Sequence, residues 1–100
     1  MNRDSAHRLL IAYDVADDVR RARVAKTLES YGDRIQYSVF LVDAKPAKAL
    51  RMKASVRAHL ELALDSVLVC DLGPVSHGGL ARLEFIGLER AFTGNGPVVL

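Results

Sequence analysis

An aspartate closing a short apolar run, with a dense set of cations soon after it, is the part of this sequence best equipped for chemistry. Asp14 ends the run Leu9-Leu10-Ile11-Ala12-Tyr13. Asp17 and Asp18 follow, then Arg20, Arg21 and Arg23, with Arg34 further along. A carboxylate can accept hydrogen bonds or hold a cation, and clustered guanidinium groups suit phosphate oxygens. Judged by residue type alone, Asp14 has an ordinary role open to it as a side-chain acceptor in the turn after a strand. Asp17 and Asp18 suit helix capping and the positive end of the helix dipole. Arginines in the first helical turns oppose that dipole, so each needs a compensating anion, either a phosphate or a neighbouring carboxylate. Arg20 and Arg21 flank the apolar face of the helical wheel and Arg23 sits farther round. Lys45, Lys48 and Arg51 form a second candidate track for a phosphate backbone, although a charged, solvated helix face has the same composition. His7, His59 and His77 lack metal-ligand spacing, and neither a phosphate-cradling glycine loop with lysine nor a serine nucleophile motif is present.

These residues must be placed by a small number of elements. The run ending at Asp14 is too short for a helix and is expected to form a buried first strand. Val24, Leu28 and Tyr31 share one face of a helix over 18 to 31, with Gly32 as its stop. Residues 34 to 42 are β-branched and aromatic without Gly or Pro, which predicts one long strand with Ile35, Tyr37, Val39 and Leu41 on one side and Phe40 and Val42 on the other. Pro46 suits the first turn of a second helix, with Asp43 just ahead and Ala49, Met52, Val56, Leu60 and Ala63 at helical spacing. Strands are then expected at Ser66 to Leu72 and near Leu80 to Ile86. After the turn Gly94-Asn95-Gly96, the apolar ending Pro97-Val98-Val99-Leu100 is expected to pair with a sheet. The order gives an α/β (α+β) sandwich: two helices on one face of a mainly antiparallel sheet, in a single domain over 1 to 100.

Composition bounds the partners. At 100 residues the chain buries a modest share of its surface, so pairing with a second copy would add stability. The net charge of +2 is unevenly spread: residues 1 to 57 carry twelve Lys and Arg against seven Asp and Glu, and residues 58 to 100 carry two against five. That asymmetry permits an electropositive face, as a solvated helix surface would. Cys70 is the single cysteine and is expected to be a small buried side chain in a reducing compartment. No run approaches the roughly twenty apolar residues of a membrane span, and Met1 to Arg8 lacks the apolar centre of a signal peptide, so the expected location is the cytoplasm.

The segment Tyr13-Asp14-Val15-Ala16-Asp17-Asp18-Val19-Arg20-Arg21-Ala22-Arg23-Val24, then Leu28, Tyr31-Gly32 and Arg34-Ile35-Gln36-Tyr37-Ser38-Val39-Phe40, resembles the signature of the family called CRISPR-associated protein two. Beyond residue 43 the resemblance rests on length, element order and the apolar C-terminus. It implies a ferredoxin-like fold and a symmetric homodimer in which the C-terminal strand completes the partner's sheet. It also implies assembly with the integrase subunit that inserts new spacers into a CRISPR array. Some members are described as metal-dependent nucleases on RNA or duplex DNA.

The resemblance carries functional positions onto Tyr13, Asp14, Arg21, Arg23, Arg34 and Phe40, with Phe40 expected to pack at the dimer contact. Two copies of Asp14 brought together near a two-fold axis would form a sparse magnesium site, with manganese as a substitute. Such an ion keeps several waters and takes only one or two protein carboxylates. Tyr13 would help to shape that site, while Arg20, Arg21, Arg23 and Arg34 would grip the backbone of DNA or RNA. Asp33 is a competing partner for Arg34. Two functions follow, a DNA-binding scaffold of the integration complex and a metal-dependent endonuclease, and both can hold for one protein. A toxin-like ribonuclease of the related VapD type is the alternative. An RNA-recognition domain is disfavoured because Tyr37 and Phe40 fall on opposite faces of the expected strand.

Overall fold

The structure is a computed structural model, and it describes residues 5 to 77 and 83 to 88. Among these, β1 (His7–Asp14), α1 (Asp18–Glu29), β2 (Asp33–Gln36), β3 (Val39–Ala44), α2 (Pro46–Arg57) and β4 (Ser66–Pro74) follow in order, with a 3-10 turn at Val75–His77. The sheet order is β2-β3-β1-β4 and every pairing is antiparallel. Alternation divides the sheet cleanly. Leu9, Ile11 and Tyr13 of β1 join Phe40, Val42 and Ala44 of β3 in one buried cluster with Val24, Ala25 and Leu28 of α1 and Met52 and Val56 of α2. Both helices therefore cover one face, and the residues between these, Leu10 and Ala12 among them, belong to the other.

Helix starts follow local chemistry. Asp17 caps α1 by accepting the Arg20 backbone N–H at 2.9 Å. Pro46 occupies the first turn of α2, where its missing N–H costs nothing, while Lys45 at the N-cap supplies no side-chain bond. Asp43 does not cap α2, because its carboxylate is held at 2.6 Å by both Nε and Nη2 of Arg8. Helix α1 ends at Glu29, two residues earlier than its apolar spacing suggests. The backbone N–H groups of Tyr31 and Gly32 both turn back to the Leu28 carbonyl at 2.9 Å. A Cβ on Gly32 would lie 2.0 Å from the Leu41 carbonyl oxygen, so glycine here serves close approach to β3. Helix α2 stops at Arg57, leaving Ala63 in a turn and Leu60 packed at the core margin.

The expected long strand over 34 to 42 is a hairpin. Residues Tyr37 and Ser38 turn the chain, and Gln36 pairs with Val39 across it. No described non-glycine residue has a positive φ, so this turn avoids the mirror-image types that announce themselves as Asn-Gly or Asp-Gly. It is held from outside, by the Tyr13 N–H donating to Ser38 O at 3.0 Å and the Tyr13 hydroxyl donating to Tyr37 O at 3.3 Å. Tyr37 consequently does not share a buried face with Ile35 and Leu41 and stands 68% exposed.

Among the described residues strand β4 lies at the sheet edge, and it runs two residues further than Leu72, through a register shift in which Gly73 takes φ 98°. Of the strand expected at 80 to 86, residues 83 to 86 form no strand and 80 to 82 lie outside the described residues. The C-terminal strand expected at 97 to 100 also lies outside them. Among the described residues no helix is long and apolar enough to cross a membrane.

Candidate active site and nucleic-acid interface

Strand parity puts Asp14 on the helix-free face, in line with Leu10 and Ala12 and opposite Ser66 of β4. Its side chain is exposed and makes no hydrogen bond or ion pair among the described residues. The ordinary turn-acceptor role is thus performed by Asp17, not by Asp14. The face leading up to Asp14 is apolar: Leu10 lies between Leu41 and Cys70, and Ala12 between Val39 and Leu68. Leu41 is buried, but Leu68 is 61% exposed and Cys70 stands in solvent, contrary to its expected burial.

Tyr13, one residue earlier, points to the opposite face and is buried among the helices. Its hydroxyl donates to the Tyr37 carbonyl, and Nη2 of Arg34 lies 3.5 Å away. Burial raises the phenol pKa and the Arg34 charge only partly offsets this, so the group stays protonated at neutral pH. Through its bond to Tyr37 O this hydroxyl positions the hairpin.

The arginines divide by partner. Nε and Nη2 of Arg20 reach the two carboxylate oxygens of Asp65 at 2.7 and 3.0 Å, and the Asp65 side chain is fully buried. Asp65 also accepts the Glu61 N–H at 2.8 Å. Its pKa is lowered by the Arg20 hydrogen bond and then by that backbone bond. Arg21 spans the β1–α1 connection: Nη1 donates to the carbonyls of Val15 and Ala16 at 3.0 and 3.1 Å, and Nη2 donates to Asp18. The Asp18 bond is the main cause of its raised pKa, with burial opposing and the nearby Tyr37 hydroxyl adding to the rise. Arg23 is exposed and has no partner among the described residues. Arg34 lies with its guanidinium carbon 5.3 Å from the centroid of Phe40, a cation–π contact beside the Tyr13 hydroxyl.

Phe40 departs from the expected contact between subunits. Its pairing with Ile11 turns it to the helix side, where it is completely buried and packs 6.2 Å from the Tyr13 ring. A side chain so enclosed within one subunit is unavailable to a second. Lys45 follows β3 at the His7 end of the sheet, the far end from Asp14, so the track Lys45, Lys48 and Arg51 begins well away from that carboxylate. His7 is held by both oxygens of Asp71 at 2.9 Å. No group of three or more His, Cys, Asp or Glu able to hold a metal occurs among the described residues.

Asp65 and Tyr37 are the residues that sequence reasoning missed. Nothing in the sequence links Asp65 to an arginine 45 positions away, and Tyr37 was hidden by an unmarked turn.

Comparisons with known proteins bear on the family and the fold. The family model described as "CRISPR associated protein Cas2" matches residues 7–77. A CRISPR-associated endoribonuclease Cas2 of Rhodospirillum rubrum is 37% identical over 97 residues, covering 92% of this chain and 99% of that protein. One of Thermus thermophilus is 39% identical over 82 residues, covering 82% and 87%. Among solved structures, Streptococcus pyogenes Cas2 at pH 6.5 superposes with a TM-score of 0.71 at 29% identity, covering 80% of this chain and 99% of its own. With the ferredoxin-like order of its strands and the matched stretch from His7 to His77, this chain belongs to the CRISPR-associated Cas2 family.

Proposed function

We propose that this Cas2-family chain acts in the cytoplasm as a homodimer that binds nucleic-acid backbone and cleaves phosphodiester bonds at a pair of Asp14 carboxylates. The observation that carries this reading is Asp14 itself: exposed, unpartnered among the described residues, and at the end of an apolar strip on the helix-free face. A second copy covering that strip would exclude water from Leu68 and bring its own Asp14 to the same seam. The endoribonuclease names of the relatives support RNA as a substrate.

Among the described residues no group of three or more ligands accompanies Asp14, which fits Mg2+ only as a shared, water-rich site completed by phosphate oxygens. Bound there, the ion would supply a water of lowered pKa and a polarised phosphoryl group. Asp14 would hold it from each subunit. Arg23 and Arg34 would grip flanking phosphates, with Arg21 fixing the connection that follows Asp14. Arg20 would hold the end of β4 through Asp65. Phosphate contacts position a strand without reading its bases, which suits a DNA-binding role beside an integrase subunit in spacer acquisition.

Asp14→Ala is the test. It should abolish Mg2+-dependent cleavage of labelled RNA and DNA, while sedimentation shows an unchanged dimer and gel shift an unchanged affinity. Cleavage persisting in the pure variant would remove Asp14 from the chemistry.

A further inference from the structure

Tyr37 is the exposed aromatic residue at the Asp14 end of the sheet that the reading above does not use. From the structure we propose that the ring of Tyr37 is a stacking platform that receives an unpaired nucleobase at this end of the molecule. The inference rests on the proposed binding of phosphodiesters and adds to it a residue that would hold a base.

Exposure alone would say little, because single exposed apolar side chains are common. What distinguishes Tyr37 is how its backbone is held. It stands in a two-residue turn fastened at consecutive carbonyls to the central strand, Tyr37 O by the Tyr13 hydroxyl and Ser38 O by the Tyr13 N–H. Tyr13 is in turn buried and braced by Phe40 and Arg34. The 68% exposed ring is thus carried on a backbone tied to the core, so little conformational freedom is lost when a base lands on it.

Its surroundings suit a nucleotide. Arg34 precedes it by three residues and approaches the Tyr13 hydroxyl, and Arg21 lies near its own hydroxyl at the start of α1. A base stacked on the ring would have its flanking phosphates within a region furnished with guanidinium groups. Tyr13, the residue that anchors the turn, stands next to Asp14 in β1, so the turn and the carboxylate share one end of the sheet, on opposite faces. Stacking of this kind tolerates any base, since each has a π-face, but a continuous duplex offers none in its interior.

The test uses the full-length protein in EDTA, so that binding is separated from cleavage. Labelled RNA and DNA single strands and duplexes of matched sequence are titrated by fluorescence anisotropy. Tyr37→Ala should weaken both single strands about ten-fold or more and leave duplex binding within about two-fold. Tyr37→Phe should bind like the wild type. The chain has three tyrosines and no tryptophan, so tyrosine emission gives a second signal. Quenching by a single strand should be largely lost in Tyr37→Phe although binding remains. Unchanged single-strand affinity in Tyr37→Ala, or equal losses on single strands and duplexes, would overturn the stacking role. If cleavage still depended on Asp14 in that case, the broader function would stand. A wild-type protein that binds none of the four ligands would overturn both.

Discussion

Arg20 and Asp65 form a two-pronged ion pair whose carboxylate is fully buried, tying the first turn of α1 to the residue just before β4. Because Ser66 is the β4 partner of Asp14, this pair fixes the strand that flanks the candidate carboxylate. Removing the arginine strands a buried anion, whereas Asp65→Asn keeps an acceptor for the Glu61 N–H. Arg20→Ala should therefore lower the melting temperature by several degrees and more than Asp65→Asn does. Equal melting curves for both variants and the wild type, by circular dichroism, would contradict the assignment.

The same pair sets a limit in acid. Asp65 has a lowered pKa when folded, because of Arg20 and then Glu61, and Asp71 is lowered by His7 and then the Gly73 N–H. A depressed carboxylate pKa contributes stability that is complete above the unfolded value of about 4 and disappears as pH falls through the folded value. Melting temperature should fall with pH below that point, with a shallower fall in the double variant Asp65→Asn/Asp71→Asn. An identical acid slope would show that other carboxylates govern it.

Gly32→Ala tests the packing that places the hairpin. Its methyl group would sit 2.0 Å from the Leu41 carbonyl oxygen, a backbone atom that cannot swing away. A loss of more than about 3 kcal/mol in urea unfolding is expected, the range reserved for strained or overpacked sites. A near-neutral result would mean the α1–β2 connection yields easily.

The apolar strip of the helix-free face predicts the assembly. Leu68→Asp should shift the sedimentation profile to monomer and make Cys70, which faces the same side through its pairing with Leu10, react faster with a thiol reagent. Wild-type behaviour in both measurements would remove this strip as a surface that pairs with a second copy.

Arg23 and Arg20 should differ on nucleic acid. Arg23 is free of partners among the described residues, so Arg23→Ala should reduce the slope of log K against log salt by roughly 0.7 to 0.9, one phosphate's worth. Arg20→Lys should leave that slope unchanged, because its guanidinium is committed to Asp65. A change in slope for Arg20→Lys alone would reverse these roles.

Much of the arrangement was legible in the residues. The apolar run ending at Asp14, the capping Asp17 and the two-layer sandwich all follow from local pattern, since each depends on neighbours within a few positions. The hairpin at Tyr37 and Ser38 was illegible because Tyr13, more than twenty positions away, supplies its restraints where glycine usually would. Phe40 was expected at a subunit contact through the resemblance alone, and its enclosure follows from its pairing with Ile11 on the helix side. Asp65 escaped notice for a similar reason: its worth lies in a partner brought near only by folding.

Tyr13 and Asp14 are neighbours in the chain yet project to opposite sides of the sheet, one enclosed with the helices and the other in open solvent. A single residue added within β1 would exchange them, sending a carboxylate into hydrocarbon and a phenol to the surface. Length changes just ahead of this dipeptide should accordingly be forbidden even where the remaining sequence is free to drift.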